Sequence, residues 1–317
     1  MQSIKIKLKD LWVVTKKTCV AWYVADPFRQ SAVIAYYAIF SIPALLVIII
    51  TSAGFAFGKE AVMGQISGQI SSAIGFETAI QVEEMIKNAG MQKNSIWATI
   101  ISIVTLILGA TGVFAQMQVS LNQIWEVKVE AKQMWLKTLR DRLFSFGLIL
   151  CIGFLLLVSL VFTTFLEAFG GWIKLNLLDF MLFVFQAVNL LVSFSIITVL
   201  FALMFKILPD AKIKWRDVWI GAMVTTILFI VGKFGLGVYF AKVNPGSTYG
   251  AAGSIVLLML WVSYSCMIVF LGAEFTKQLA LHKGRKIEPV KNAVHIPGTE
   301  EMKMVAEKTE AVKGVKG

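Results

Sequence analysis

Lys233 is the residue in this 317-residue chain whose placement asks most for a chemical reason, because it lies inside an apolar run while the other basic residues lie between runs. It sits about eight residues inside the outer end of the stretch Val218–Phe240, or roughly 12 Å at helical rise. A lysine stem covers only part of that distance by reaching toward the headgroups. An ammonium left in hydrocarbon costs at least about 2.5 kcal/mol. Lys233 must therefore face neighbouring helices, face water, or give up its proton. Two readings carry equal weight. In one, Lys233 lines an outward-facing polar cavity and attracts an anionic or amphiphilic group. In the other, helix-end carbonyls or the membrane interface hold it.

Weaker candidates surround it. Glu274 is the carboxyl nearest a membrane span. In an antiparallel sixth helix, Met259 matches the depth of Lys233, which leaves Glu274 about 22 Å deeper. The two should not pair, and Glu274 is expected to be structural, meeting Lys206, Arg142 or Lys277. Asn189 and Gln186 lie closer in depth to Lys233. Tyr36, Tyr37 and Ser41 could line a path in the first helix, although packing and interface anchoring is the preferred reading for the tyrosines. Pro43 removes a backbone donor and frees the carbonyl of Ile39, which a neighbour or water must satisfy. A packing kink is favoured there over a broken helix lining a path. Gly253 is a further candidate for the wall of a path.

Catalytic constellations are missing from the sequence. The two histidines, His282 and His295, fall near the end. There is no HxH or HExxH set, no P-loop and no GxSxG elbow. Cys19, Cys151 and Cys266 are isolated and suggest neither disulfide nor metal site. No enzyme, cofactor or metal is expected. ATP-driven transport by this chain alone lacks a nucleotide-binding motif, and RNA hydrolysis lacks its metal-binding acids.

The elements that must position these residues are six long apolar stretches: Ser31–Phe57, Ile96–Ala115, Leu143–Phe165, Phe180–Phe205, Val218–Phe240 and Ala251–Phe275. Each reaches the roughly 20 residues needed to cross about 30 Å of hydrocarbon. The chain is 57% hydrophobic and only 15% charged, against about 25% charged in soluble domains. Its net charge of +11 would suggest nucleic acid in a soluble protein. Here the basic residues instead mark cytoplasmic loops that touch anionic lipid. The segment before the first stretch, the second-to-third and fourth-to-fifth connections, and the segment from Lys277 onward hold 24 of the 30 Lys and Arg. Both termini should be cytoplasmic. No nucleic-acid partner is expected, and a homo-oligomer is left open.

The predicted fold class is therefore all-α: a polytopic membrane protein with six transmembrane helices and amphipathic N-terminal and external helices. Residues 1–29 form a cytoplasmic amphipathic arm, with a helix over 4–25 lying in the interface and ended by Asp26-Pro27. Residues 30–280 form the transmembrane domain, with an external amphipathic insertion at 59–94. Residues 281–317 read as a flexible cytoplasmic tail. The second helix should continue past the membrane toward Trp125. Gln186, Asn189, Ser193 and Ser195 should turn one side of the fourth helix toward protein.

Four segments resemble the YihY/virulence factor BrkB family of bacterial inner-membrane proteins: AYYAIFSIPALL (35–46), GATGVFAQMQVSLNQIWEV (109–127), DVWIGAMVTTILFIVGKFGLGVYF (217–240) and YGAAGSIVLLMLWVSYSCMIVFLGAEFT (249–276). The resemblance spans roughly residues 11–280. The last segment is the most specific. The first departs slightly, since the family often places proline three residues after the serine, and Ser41 and Pro43 are two apart. The resemblance implies a six-helix inner-membrane protein with cytoplasmic ends. It also implies links to envelope integrity and to export of solutes or lipid-like molecules. The family's former ribonuclease BN label fits poorly with the missing catalytic cluster.

The leading expectation is thus a transporter or exporter of a small or lipid-like solute, with an anionic one among the candidates. Its path would run among the first, fifth and sixth helices, past Lys233, Tyr36, Ser41, Pro43, Asn189, Gly253 and Glu274. The alternative is a non-transporting envelope scaffold.

Overall fold

The computed structural model describes residues 8–41, 63–64, 68, 96–129, 179–243, 245, 249, 253–290 and 293–296. The third predicted crossing, Pro43 and nearly all of the external insertion lie outside the described residues.

Five helices carry the described chain: α1 (Leu8–Val24), α2 (Ile96–Ile124), α3 (Asp179–Ile207), α4 (Trp215–Val243) and α5 (Gly253–His282). Residues 27–41 are also helical. Stretches of α3, α4 and α5 at Leu190–Ile207, Trp215–Val243 and Ile255–His282 are long and apolar enough to cross a membrane. As predicted, α2 runs on to the edge of Trp125. Helix α5 extends beyond the predicted Phe275 to His282.

The protein is mostly helical, as expected, and four short strands also form: β1 (Val127–Val129), β2 (Ala211–Lys212), β3 (Glu288–Pro289) and β4 (Ala293–His295). β1 pairs antiparallel with β4, setting Lys128 opposite Val294. β2 pairs antiparallel with β3, setting Lys212 opposite Glu288. The described residues after α5 thus take part in two strand pairings. Composition misses them because each strand is too short for an alternating pattern to register.

The described residues fall into two compact units. The first lies within Met1–Thr18, Leu121–Thr226 and Ala273–Gly317, and the second within Cys19–Ser120 and Ile227–Gly272.

In the first unit, Val14 of α1 packs with Phe275 and Leu279, flanked by Ile220 and Val224. On α1, Val14 and Thr18 are buried, whereas Leu11 and Trp12 are exposed. Thr198 and Thr226 bond to one another, Oγ1 to Oγ1, at 3.0 Å in the buried space between α3 and α4. Ser195, predicted to face protein, is exposed and donates back to its own helix at Leu191 O. Among the described residues of α3, Thr198 is the buried polar side chain.

Gly221 lets α4 approach α5, since a Cβ there would collide with Thr276. In the second unit, Gly109 and Gly112 allow the same closeness to the helical segment 27–41. A Cβ on Gly109 would lie 3.0 Å from Ser41 Cβ, and one on Gly112 would overlap the Tyr37 ring. Small residues at such positions let membrane helices pack backbone to backbone.

Candidate functional site

Two places gather polar chemistry, one in each unit. In the first unit, three helix ends converge on buried charges. Asn122, near the end of α2, donates from Nδ2 to Asp210 Oδ2 at 2.8 Å and accepts from the Asp210 backbone N at 2.7 Å. Both residues are buried. A buried carboxylate needs such donors, because an unmet polar group away from water costs about 1–3 kcal/mol.

Four residues beyond Asn122, Glu126 adopts a left-handed backbone with φ 57°. That conformation is uncommon for a residue other than Gly, Asn or Asp. It ends α2 and aims the Glu126 side chain at Lys277, whose Nζ lies 3.0 Å from Glu126 Oε1. The same Nζ lies 3.5 Å from Glu274 Oε1, and Gln278 Nε2 donates to that oxygen at 2.8 Å. Glu274 is 1% exposed. The predicted meeting of Glu274 with Lys277 is present, with Glu126 as an added partner. The neighbouring Trp125 indole N–H is buried with no hydrogen-bond partner among the described residues.

The third buried acid is Asp217, in the first turn of α4. Arg285 Nη1 donates to its Oδ2, and Lys283 Nζ stands 3.6 Å from its Oδ1, beyond hydrogen-bond reach. The route by which these cations arrive is written in the backbone. Gly284 takes φ 66°, its N–H bonds to Leu281 O, and the Arg285 N–H bonds to Ala280 O. This is the Schellman ending that glycine favours, and it turns the chain so that Arg285 comes back to α4. Burial pushes the Lys283 ammonium pKa below the ordinary lysine value, against the pull of Asp217; the Arg285 and Arg216 charges add to the lowering. Farther along, Val290 N bonds to Asp210 O and Ile296 N bonds to Glu126 O. The segment after α5 therefore returns to both acidic corners.

In the second unit, Lys233 is half-buried on α4. Among the described residues it has no hydrogen bond or ion pair. The adjacent Gly232 lies so close to α5 that a Cβ would come within 2.6 Å of Ile268 Cδ1 and 2.7 Å of Tyr264 Oη. Added Cβ atoms on Gly235 and Gly237 would meet nothing within 4 Å. The helix is thus tight on one side of Lys233 and open just beyond it.

The other predicted positions divide between the units. Tyr36 is 55% exposed and lies edge-on to Tyr37 and Phe40. Ser41 is buried and donates to Ala38 O at 3.3 Å. Gly253 opens α5 and is buried. Asn189 lies on α3, with its side chain outside the described set, and Pro43 is outside it altogether. Glu274 belongs to the first unit, whereas Lys233, Tyr36, Ser41 and Gly253 belong to the second. Sequence reasoning passed over Asp210 and Asp217. Their signal was available, since each is an acid beside a basic run at the end of an apolar stretch.

A family model described as Virulence factor BrkB matches residues 24–296. A UPF0761 membrane protein of Tolumonas auensis is 32% identical over 196 residues, covering 59% of this chain and 59% of that protein. One of Yersinia pestis is 30% identical over 199 residues, covering 61% of this chain and 63% of that protein. One of Verminephrobacter eiseniae is 27% identical over 176 residues, covering 55% of this chain and 40% of that protein. The chain thus spans about two fifths to three fifths of the length of these curated relatives. No solved structure matches. The chain belongs to the Virulence factor BrkB family and is a membrane protein.

Proposed function

We propose that this Virulence factor BrkB family member is a non-enzymatic transporter or exporter of a small or lipid-like, anionic solute. In this reading it works as a six-helix protein of the bacterial inner membrane, with both termini cytoplasmic, in support of envelope integrity. One observation carries the proposal. Lys233 lies within a helix apolar enough to span a membrane, and among the described residues it has no counter-charge or hydrogen-bond partner. An ammonium so placed in hydrocarbon costs at least about 2.5 kcal/mol. Water in a path, or the anionic group of a passing solute, removes that cost. The open side at Gly235 and Gly237 leaves room for such a group next to Lys233. Flux through proteoliposomes carrying wild type or Lys233→Met tests the reading.

The competing function is a non-transporting envelope scaffold. The observation in its favour is the first unit, where Asp210, Asp217, Glu126 and Glu274 each meet a partner on another stretch of chain or a neighbouring turn. Such a network holds a surface in place without needing a path. It leaves Lys233 without a reason, and for that the transport reading ranks first.

A further inference from the structure

The start of α4 inverts the pattern expected of a water-facing surface. Its large apolar side chains point outward: Trp215 is 47% exposed and Trp219 is 38% exposed, one turn apart, with ring centroids separated by 6.5 Å. Ile207, at the end of α3, is exposed as well. The acids of the same segment point inward, since Asp210 and Asp217 are buried and engaged.

The exposed charges between Lys206 and Trp219 are then Lys212, Lys214 and Arg216, all cationic. Alternation forces the two lysines out. Ala211 and Ile213 fill the interior at the intervening positions, and an extended chain sends successive side chains to opposite faces. Glu288 faces Lys212 across the β2–β3 pair, which leaves Lys214 and Arg216 as the unbalanced cations among the described residues of this segment. Lys206 braces the patch from within. Its Nζ donates to Ile213 O and lies 5.7 Å from the Trp215 ring centroid.

We propose that Lys214, Arg216, Trp215 and Trp219 form a docking surface for the headgroups of anionic phospholipids. Trp215 is the first residue of a helix long and apolar enough to cross a membrane, so the residues just before it lie at that helix's water end. Indole rings settle at this level of a bilayer, with their apolar bodies toward the acyl chains and the N–H toward water. Basic residues beside a membrane span attract anionic lipid in the adjacent leaflet. The ligand class follows from charge and position together, because an acidic soluble partner would give the exposed indoles nothing to enter. This surface stands apart from the transport reading. A chain that moved no solute would hold headgroups here equally well, so the two tests fail separately.

The test uses the full chain in nanodiscs of phosphatidylcholine, with and without phosphatidylglycerol. Wild type should melt at a higher temperature when phosphatidylglycerol is present, and the rise should shrink at high salt. Lys214→Gln/Arg216→Gln should melt like wild type in phosphatidylcholine and lose most of the rise. Lys214→Arg/Arg216→Lys should keep it. If the neutral double variant does not fold, Lys214→Gln alone should lose part of the rise. An equal Tm for wild type in both discs, or a full rise in the neutral variants, would overturn the proposal. An equal rise on adding inorganic phosphate to phosphatidylcholine discs would also overturn it, since the site would then take a free anion.

Discussion

Asn122 and Asp210, 88 positions apart in the chain, close a two-bond ring: Asn122 Nδ2 donates to the Asp210 carboxylate, and Asn122 Oδ1 accepts from the Asp210 N–H. The ring fastens the end of α2 to the turn between α3 and β2. Asn122→Ala should remove both bonds while the Asp210 groups stay buried. The loss is about 2–3 kcal/mol, because stranding a buried polar group costs more than the net worth of its bond. Thermal unfolding in detergent should show a Tm several degrees lower. Asn122→Asp should be worse still, since it sets one carboxylate against another.

Lys277 is shared between Glu126 and Glu274. Lys277→Met should therefore leave two carboxylates facing each other with less positive charge between them. Removing one member of a buried ion pair typically costs about 3–5 kcal/mol. Lys277→Met/Glu274→Gln should recover part of this by removing one of the negative charges. Equal melting of the single and double variants would show that the three side chains do not act together.

Glycines on α4 should divide by their surroundings. Gly221→Ala drives a methyl into Thr276 and should destabilise by about 1–3 kcal/mol. Gly235→Ala meets nothing within 4 Å. It should be neutral or stabilising by up to about 1 kcal/mol, since alanine loses less backbone freedom in a helix. Melting curves of the two variants side by side read the contrast. Similar Tm values would deny the close contact of α4 with α5 at Thr276.

Much of the helical frame was legible because a membrane span announces itself: about 20 apolar residues leave little ambiguity. Helices α3, α4 and α5 fall where the runs at Phe180, Val218 and Ala251 placed them. Their ends were harder to read. The last turns of α5, from Thr276 to His282, are polar enough to look like tail, and only the contacts of Lys277 and Leu279 explain why they stay helical. The strands were not legible. Ala211–Lys212 and Glu288–Pro289 carry no periodicity and exist because a distant segment pairs with them. Gly284 was the one local sign that the chain turns back after α5. Glu126 gave no such sign, since nothing in a glutamate suggests a positive φ. The acid partners were half legible: Glu274 drew notice beside Lys277, but Asp217 needed Arg285 brought back to it by the fold.

The most direct measurement for Lys233 is flux across proteoliposomes, with fluorescent anionic lipids and small organic anions as cargo, comparing wild type with Lys233→Met at matched protein content and Tm. Wild type should move at least one anionic cargo above protein-free liposomes. Lys233→Met should lose most of that flux, and Lys233→Arg should keep a share of it. Equal flux in wild type and Lys233→Met, or no flux above empty liposomes for any cargo, would contradict the transport function and leave the scaffold.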